Sequence, residues 1–265
     1  MSIVSEKWSL STVLIERQAD EGNVSTGTGF FVSRDVGGGR QQTYLVTNKH
    51  VLGSQRAFGQ ELTLKINVRD GERIVPSTVK YSYLEGGIRD HRRADVDVCA
   101  VVVTKLFVEV VGIAHITVDY DSMAFAERIR QLDVVVGDDV LSLGYPLGYN
   151  QGPNNLPIVR QGILATSLDY DLAGPVAGSP TSLPAFLVDG GVIHGSSGSP
   201  IILKPVAARG IGGIIEIGNT LPFLLGILAK TRLATIPDNV EPTYAGLGLA
   251  FRAETIRDTV ERFYE

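Results

Sequence analysis

Glu61-Leu62-Thr63-Leu64-Lys65-Ile66-Asn67-Val68-Arg69 carries an apolar side chain at every even position and a polar one at every odd position. A period of two buries one face of a strand and wets the other. Short runs rich in β-branched residues recur around it, at 44–47, 96–103, 134–136 with 140–143, 158–165, 201–203, 211–217 and 224–228. Clusters such as Gly37-Gly38-Gly39 and Gly152-Pro153-Asn154-Asn155 separate most of them. Many short strands at this spacing predict a barrel or sandwich rather than βαβ units. One segment departs from the pattern. Ile256, Val260 and Phe263 share a helical stripe, which predicts a C-terminal helix over 253–263 docked on the last strands, with Arg257 and Glu261 paired outside. The stretch 107–132 has the weakest strand signal and reads as the connection between two halves.

The chain has 265 residues, 44% hydrophobic and 20% charged, which permits a buried core and excludes a disordered chain. Its net charge is −5, and the densest basic stretch, 89–93, is interrupted by Asp90 and His91, which argues against a nucleic-acid partner. Cys99 is the sole cysteine, so no intrachain disulfide can form and a cytoplasmic, disulfide-independent setting is expected. Met1 to Trp8 show no basic start leading into an apolar core, so no signal peptide is expected. The longest apolar stretches, such as 221–229, are about half of the ~20 residues that a membrane helix needs, so no membrane partner is expected.

The densest chemical signal is Gly195-Ser196-Ser197-Gly198-Ser199-Pro200. An acyl-transfer nucleophile must project its hydroxyl from a tight turn whose N–H groups face the developing oxyanion, and glycines permit that approach. Ser197 is the candidate nucleophile, and the N–H groups of Gly195 and Ser197, flanking Ser196, are the candidate oxyanion hole. Alone, the motif reads equally well as a surface loop. A serine hydroxyl needs an imidazole base, itself held by a carboxylate. The four histidines, His50, His91, His115 and His194, all precede Ser197, which excludes the Ser–acid–His order of α/β-hydrolases. His50, following the apolar run 44–47, is the best base. Asp97, opening Asp97-Val98-Cys99-Ala100-Val101, is the best carboxylate, with Asp95 its rival. His91 and His115 read as structural or solvated, and Cys99 as a small buried strand residue.

These blocks resemble the trypsin-like serine peptidases, and within them the HtrA/Deg group. Gly27-Thr28-Gly29-Phe30-Phe31-Val32-Ser33 is similar to that group's glycine-rich first strand, and Leu45-Val46-Thr47-Asn48-Lys49-His50-Val51 to its histidine segment. Val136-Gly137-Asp138-Asp139-Val140-Leu141-Ser142-Leu143-Gly144-Tyr145-Pro146 resembles the strand before its specificity loops, and Gly246-Leu247-Gly248-Leu249-Ala250-Phe251 its barrel end. The resemblance runs in order from about residue 27 to 264 and covers a protease domain without a PDZ domain. It implies an all-β fold of two six-stranded antiparallel β-barrels with a C-terminal α-helix. Residues 1–120 would form the barrel bearing His50 and Asp97, and residues 121–265 the barrel bearing Ser197 and the helix. It implies a serine endopeptidase acting through a Ser-His-Asp triad and an acyl-enzyme. A silent binding module or an esterase on the same fold are the alternatives.

Two departures stand out. The segment after Pro200 is longer than in the usual pattern, and Ser199-Pro200 replaces the commoner Gly-Pro. By the same resemblance, the base of the primary pocket lies at Gly191, which has no carboxylate and implies a small or aliphatic preference rather than Lys or Arg. His194 reads either as cleft lining or as plain surface. Ser196 occupies the position where digestive relatives carry a carboxylate for N-terminal activation, so no such switch is expected. The reading calls for no metal or cofactor; its partner is a polypeptide substrate, and a homo-oligomer or regulatory protein stays open.

Overall fold

Strand pairing, more than strand content, decides this architecture. The computed structural model describes residues 3–18, 24–53, 56–174, 181–190, 195–211, 214–217, 221–234 and 243–265. Helix α1 (Ile3–Ser11) leads into β1 (Thr12–Gln18), β2 (Val24–Asp35) and β3 (Gln41–Thr47). The one-turn helix α2 (Lys49–Leu52) follows, then β4 (Glu61–Asp70), β5 (Arg73–Ser82), β6 (Ile88–Asp90) and β7 (Cys99–Val102). Helices α3 (Thr104–Glu109) and α4 (Ala126–Gln131) lie in the connection, where no strand forms. The second half comprises β8 (Asp139–Gly144), β9 (Ile158–Leu164), β10 (Ala185–Asp189), β11 (Pro200–Leu203), β12 (Ala208–Ile211), β13 (Ile214–Ile217), β14 (Leu224–Ala234), β15 (Thr243–Arg252) and α5 (Ala253–Glu261).

The expectation of two six-stranded barrels is wrong. Only the second half closes, as β10-β15-β14-β11-β8-β9 with β9 returning to β10. The first half is an open seven-stranded sheet in the order β5-β4-β1-β2-β3-β7-β6. Closure would require β5 to meet β6, and the two stay apart at opposite edges. The three residues of β6 pair with β7 alone, and β5 pairs with β4 while most of its side chains stay exposed or half-buried. In the closed barrel, by contrast, all four residues of β11 are buried between β8 and β14.

The alternation in 61–69 does form a strand, β4, with Leu62, Leu64 and Ile66 buried. The valines at 134–136 do not. Val135 and Val136 are exposed in a turn, and β8 begins only at Asp139. The long segment after Pro200 contains the β12–β13 hairpin.

Helix α5 forms where the stripe predicted, but its partners differ. Ile256 and Val260 are fully buried in one cluster with Trp8, Phe30, Tyr44, Leu224 and Phe251, so the helix packs on both sheets rather than on the barrel alone. Burying each such side chain is worth ~1.5–3 kcal/mol. Arg257 turns to Asp258 at 3.3 Å instead of Glu261. Glu261 is held from the other half, accepting bonds from Arg34 Nε and Nη2, both at 2.8 Å.

Candidate active site

The first-half side chains come together because β3 and β7 are neighbours. Thr47 and Cys99 are paired, so the ends of both strands emerge side by side. Asn48 is extended and opens α2, whose Val51 and Leu52 are buried and anchor the turn. His50 therefore sits on a helical turn, not at a bare strand end, with its side chain 48% exposed. Asp97 lies just before β7 and is 14% exposed. His50 Nδ1–H donates to Asp97 Oδ2 at 2.5 Å, and the His50 backbone N–H reaches Oδ1 at 3.2 Å. Asn48 Nδ2 donates to the Asp97 carbonyl at 2.7 Å, fixing the backbone beneath the carboxylate. Burial alone would raise the Asp97 carboxyl, but the hydrogen bonds and charge of His50, with Lys230 beyond, hold it below the usual carboxylate range.

Asp95 is engaged elsewhere. It accepts from Arg93 Nε and Nη2 at 3.0 and 2.9 Å and from Thr181 Oγ1 at 2.8 Å. His115 is buried and structural: Nδ1 bonds the Leu10 carbonyl at 2.5 Å, and Nε2 accepts from the Asn67 N–H at 2.9 Å. His91 Nδ1 accepts from the Arg93 N–H at 3.1 Å, and Cys99 is fully buried. Gly191 and His194 lie outside the described residues.

Ser197 sits in a turn that glycine alone permits. Gly195 and Gly198 have φ of 87° and 89°. A Cβ on Gly198 would lie 1.8 Å from the Thr28 carbonyl oxygen, and one on Gly195 2.6 Å from that of Tyr145. The turn is pinned by Ser199 N–H to Ser196 O at 3.1 Å and Gly198 N–H to Leu228 O at 2.8 Å. Ser199 fits because Gly144 faces it without a side chain; a Cβ there would fall 2.0 Å from Ser199 Oγ. Among the described residues, no hydrogen bond uses the backbone N–H of Gly195, Ser196 or Ser197. Ser197 Oγ donates to the Ala229 carbonyl at 3.0 Å, and no bond joins it to His50 among the described residues.

Thr28, whose role the sequence did not disclose, joins the halves. Its N–H donates to Ser197 O at 2.9 Å and its carbonyl accepts from Thr47 Oγ1 at 2.7 Å. Its hydroxyl donates to Gly195 O at 3.0 Å and accepts from the Tyr145 N–H at 3.1 Å. One residue thus links Thr47, at the strand end before His50, to the turn that carries Ser197. The only sequence signal was its flanking glycines. A Cβ on Gly27 would meet Val51 at 2.5 Å, and one on Gly29 would meet Leu45 at 2.7 Å.

A sheet bearing a histidine–carboxylate pair, joined through one threonine to a glycine-bounded serine turn on a closed barrel, defines a serine-peptidase type of fold. The family described as the trypsin-like peptidase domain matches residues 27–205. The chain belongs to that family. No curated protein matches it. Among solved structures, the active form of the Rv3671c protease from M. tuberculosis is 19% identical at a TM-score of 0.50, covering 96% of this chain and 80% of that one. The HtrA-type protease AlgW with a decapeptide is 12% identical at a TM-score of 0.52, covering 98% and 66%. A scabies mite inactivated protease paralogue, S-I1, is 14% identical at a TM-score of 0.54, covering 97% and 95%. At such identities these likenesses speak to the fold alone.

Proposed function

We propose that the protein is a serine endopeptidase that hydrolyses polypeptide substrates through Ser197, His50 and Asp97. The observation that carries this is the His50–Asp97 pair, at 2.5 Å, whose preceding strand end at Thr47 is tied through Thr28 to the Ser197 turn. Asp97 fixes the imidazole with its proton on Nδ1, leaving Nε2 as the base. The Ser197 hydroxyl leaves the Ala229 carbonyl, and its oxygen bonds the substrate carbonyl carbon while its proton passes to Nε2. The N–H groups of Gly195 and Ser197 take the resulting oxyanion. The C–N bond breaks as the amine receives the proton from His50. Water, deprotonated by the same imidazole, then releases the acyl group and restores Ser197. By the family resemblance Gly191 would form the pocket base, and its lack of a carboxylate favours a small or aliphatic residue on the acyl side.

A second reading, a protease-fold module without turnover, is favoured by the Ser197 hydroxyl's bond to Ala229 instead of His50. A fluorophosphonate probe followed by a peptide-library digest separates them. Labelling of Ser197 with peptide cleavage, both lost in Ser197→Ala, is the expected outcome. A chain that neither labels nor cleaves is a module, and labelling with ester but no peptide turnover marks an esterase.

A further inference from the structure

We propose that Lys230 selects substrates carrying a carboxylate side chain close to the scissile bond; this rests on the peptidase reading above. Strand β14 runs beyond the serine turn with one margin unpaired. Its pairing with β11 ends at Pro200↔Ile227, and Leu228 still bonds the turn, accepting from the Gly198 N–H at 2.8 Å and donating to Ser199 O at 2.9 Å. From there on only β15 pairs with it among the described residues, as in Lys230↔Leu249. An extended peptide can add to such a margin.

The register of β14 shifts between Leu228 and Lys230, an irregularity of the kind that re-aims side chains beside active sites. Ala229 is 1% exposed, and its carbonyl takes the Ser197 hydroxyl; Lys230, the next residue, is exposed. Its ammonium lies close enough to Asp97 to be one of the charges acting on that carboxylate. Asp97 is itself committed to His50, and Lys230 makes no hydrogen bond or ion pair among the described residues. Lys49 and Arg93, the cations tied to the segment before Asp97, are engaged: Lys49 Nζ donates to the carbonyls of Arg93 and Ala94 at 3.2 and 3.3 Å, and Arg93 is matched by Asp95. Lys230 thus places a positive charge, without a hydrogen bond or ion pair among the described residues, beside the free margin of β14 in a chain whose net charge is −5. A carboxylate on the bound peptide is attracted there and an ammonium repelled.

The test is peptide binding to the Ser197→Ala protein, by fluorescence anisotropy, with a peptide library carrying Glu, Gln or Lys at each position in turn. Glu peptides should bind roughly two- to fivefold tighter than Gln peptides at one or two adjacent positions, less so as salt rises. Adding Lys230→Gln should abolish the preference, and Lys230→Glu should turn it toward Lys. Equal affinities, or a Glu preference that survives Lys230→Glu, overturn the proposal. Digesting the same library with the unsubstituted protein keeps the two ideas apart. A charge-dependent preference without any cleavage supports the role of Lys230 while removing the peptidase reading.

Discussion

Thr28 makes four hydrogen bonds, two through its backbone and two through its hydroxyl, and is fully buried. Thr28→Val keeps the shape but leaves the buried Tyr145 N–H without its acceptor and Gly195 O without its donor. A loss of ~1–3 kcal/mol in urea unfolding is expected, with slower fluorophosphonate labelling of Ser197, and Thr28→Ser should restore both. The two aspartates give a sharper contrast. Asp97→Asn should cut peptide turnover by roughly 10³–10⁴-fold, because an amide no longer enforces the Nδ1–H tautomer. Asp95→Asn loosens the ties to Arg93 and Thr181, neither of them to His50, and turnover should change little. The pairing of His50 with Asp97 was legible because both residues adjoin apolar strands that turn out to be neighbours. The Thr28 bridge was not, since its hydroxyl bonds a carbonyl 167 residues away and nothing local marks that contact.

Among the elements, α5 shows how sequence periodicity fixes a helix without fixing its partners. The stripe of Ile256 and Val260 named the buried face, whereas Glu261 lay on what looked like a solvent face and proved to be the clasp to the other half. Arg34 stacks over the Tyr264 ring at 3.8 Å, and Tyr120 donates to Glu261 at 3.0 Å. The hydrogen bonds from Arg34 outweigh burial and hold the Glu261 carboxyl below its ordinary range. Its contribution is therefore present above the ordinary carboxylate range and lost as pH falls through the lowered folded value. Glu261→Gln should cost about 1 kcal/mol at neutral pH, a figure kept small because the carboxylate is partly exposed and screened. Thermal unfolding of Glu261→Gln, Arg34→Met and the double variant measures it, and a double-variant loss equal to the sum of the single losses would show that the pair is not coupled.

For the molecule as a whole, strand content was legible and closure was not. The alternation of β4 reports that one face is covered, but it says nothing of which strand lies at the margin. Only the failure of β5 and β6 to meet separates an open sheet from a second barrel. Acid sensitivity is also a property of the assembled chain. His115 is buried between Leu10 and Asn67, and burial pushes its imidazole down from 6.5 to about 4. The unfolded chain takes up that proton first, so stability falls as pH drops from about 6.5 to about 4 and this loss then levels off. The full effect is of the order of 3 kcal/mol. Urea midpoints measured across that window should decline, and His115→Gln should flatten the part due to this residue.

A sheet that never closes keeps a row of backbone groups able to recruit a foreign strand, a hazard that the closed part of the barrel avoids. On β5 that row belongs to a strand interrupted by Pro76 and bearing Arg73 and Lys80, residues that discourage docking by another chain. Pro76→Val with Lys80→Thr should leave the chain folded and lower its solubility, seen as added concentration-dependent self-association, relative to the unsubstituted protein, in sedimentation velocity.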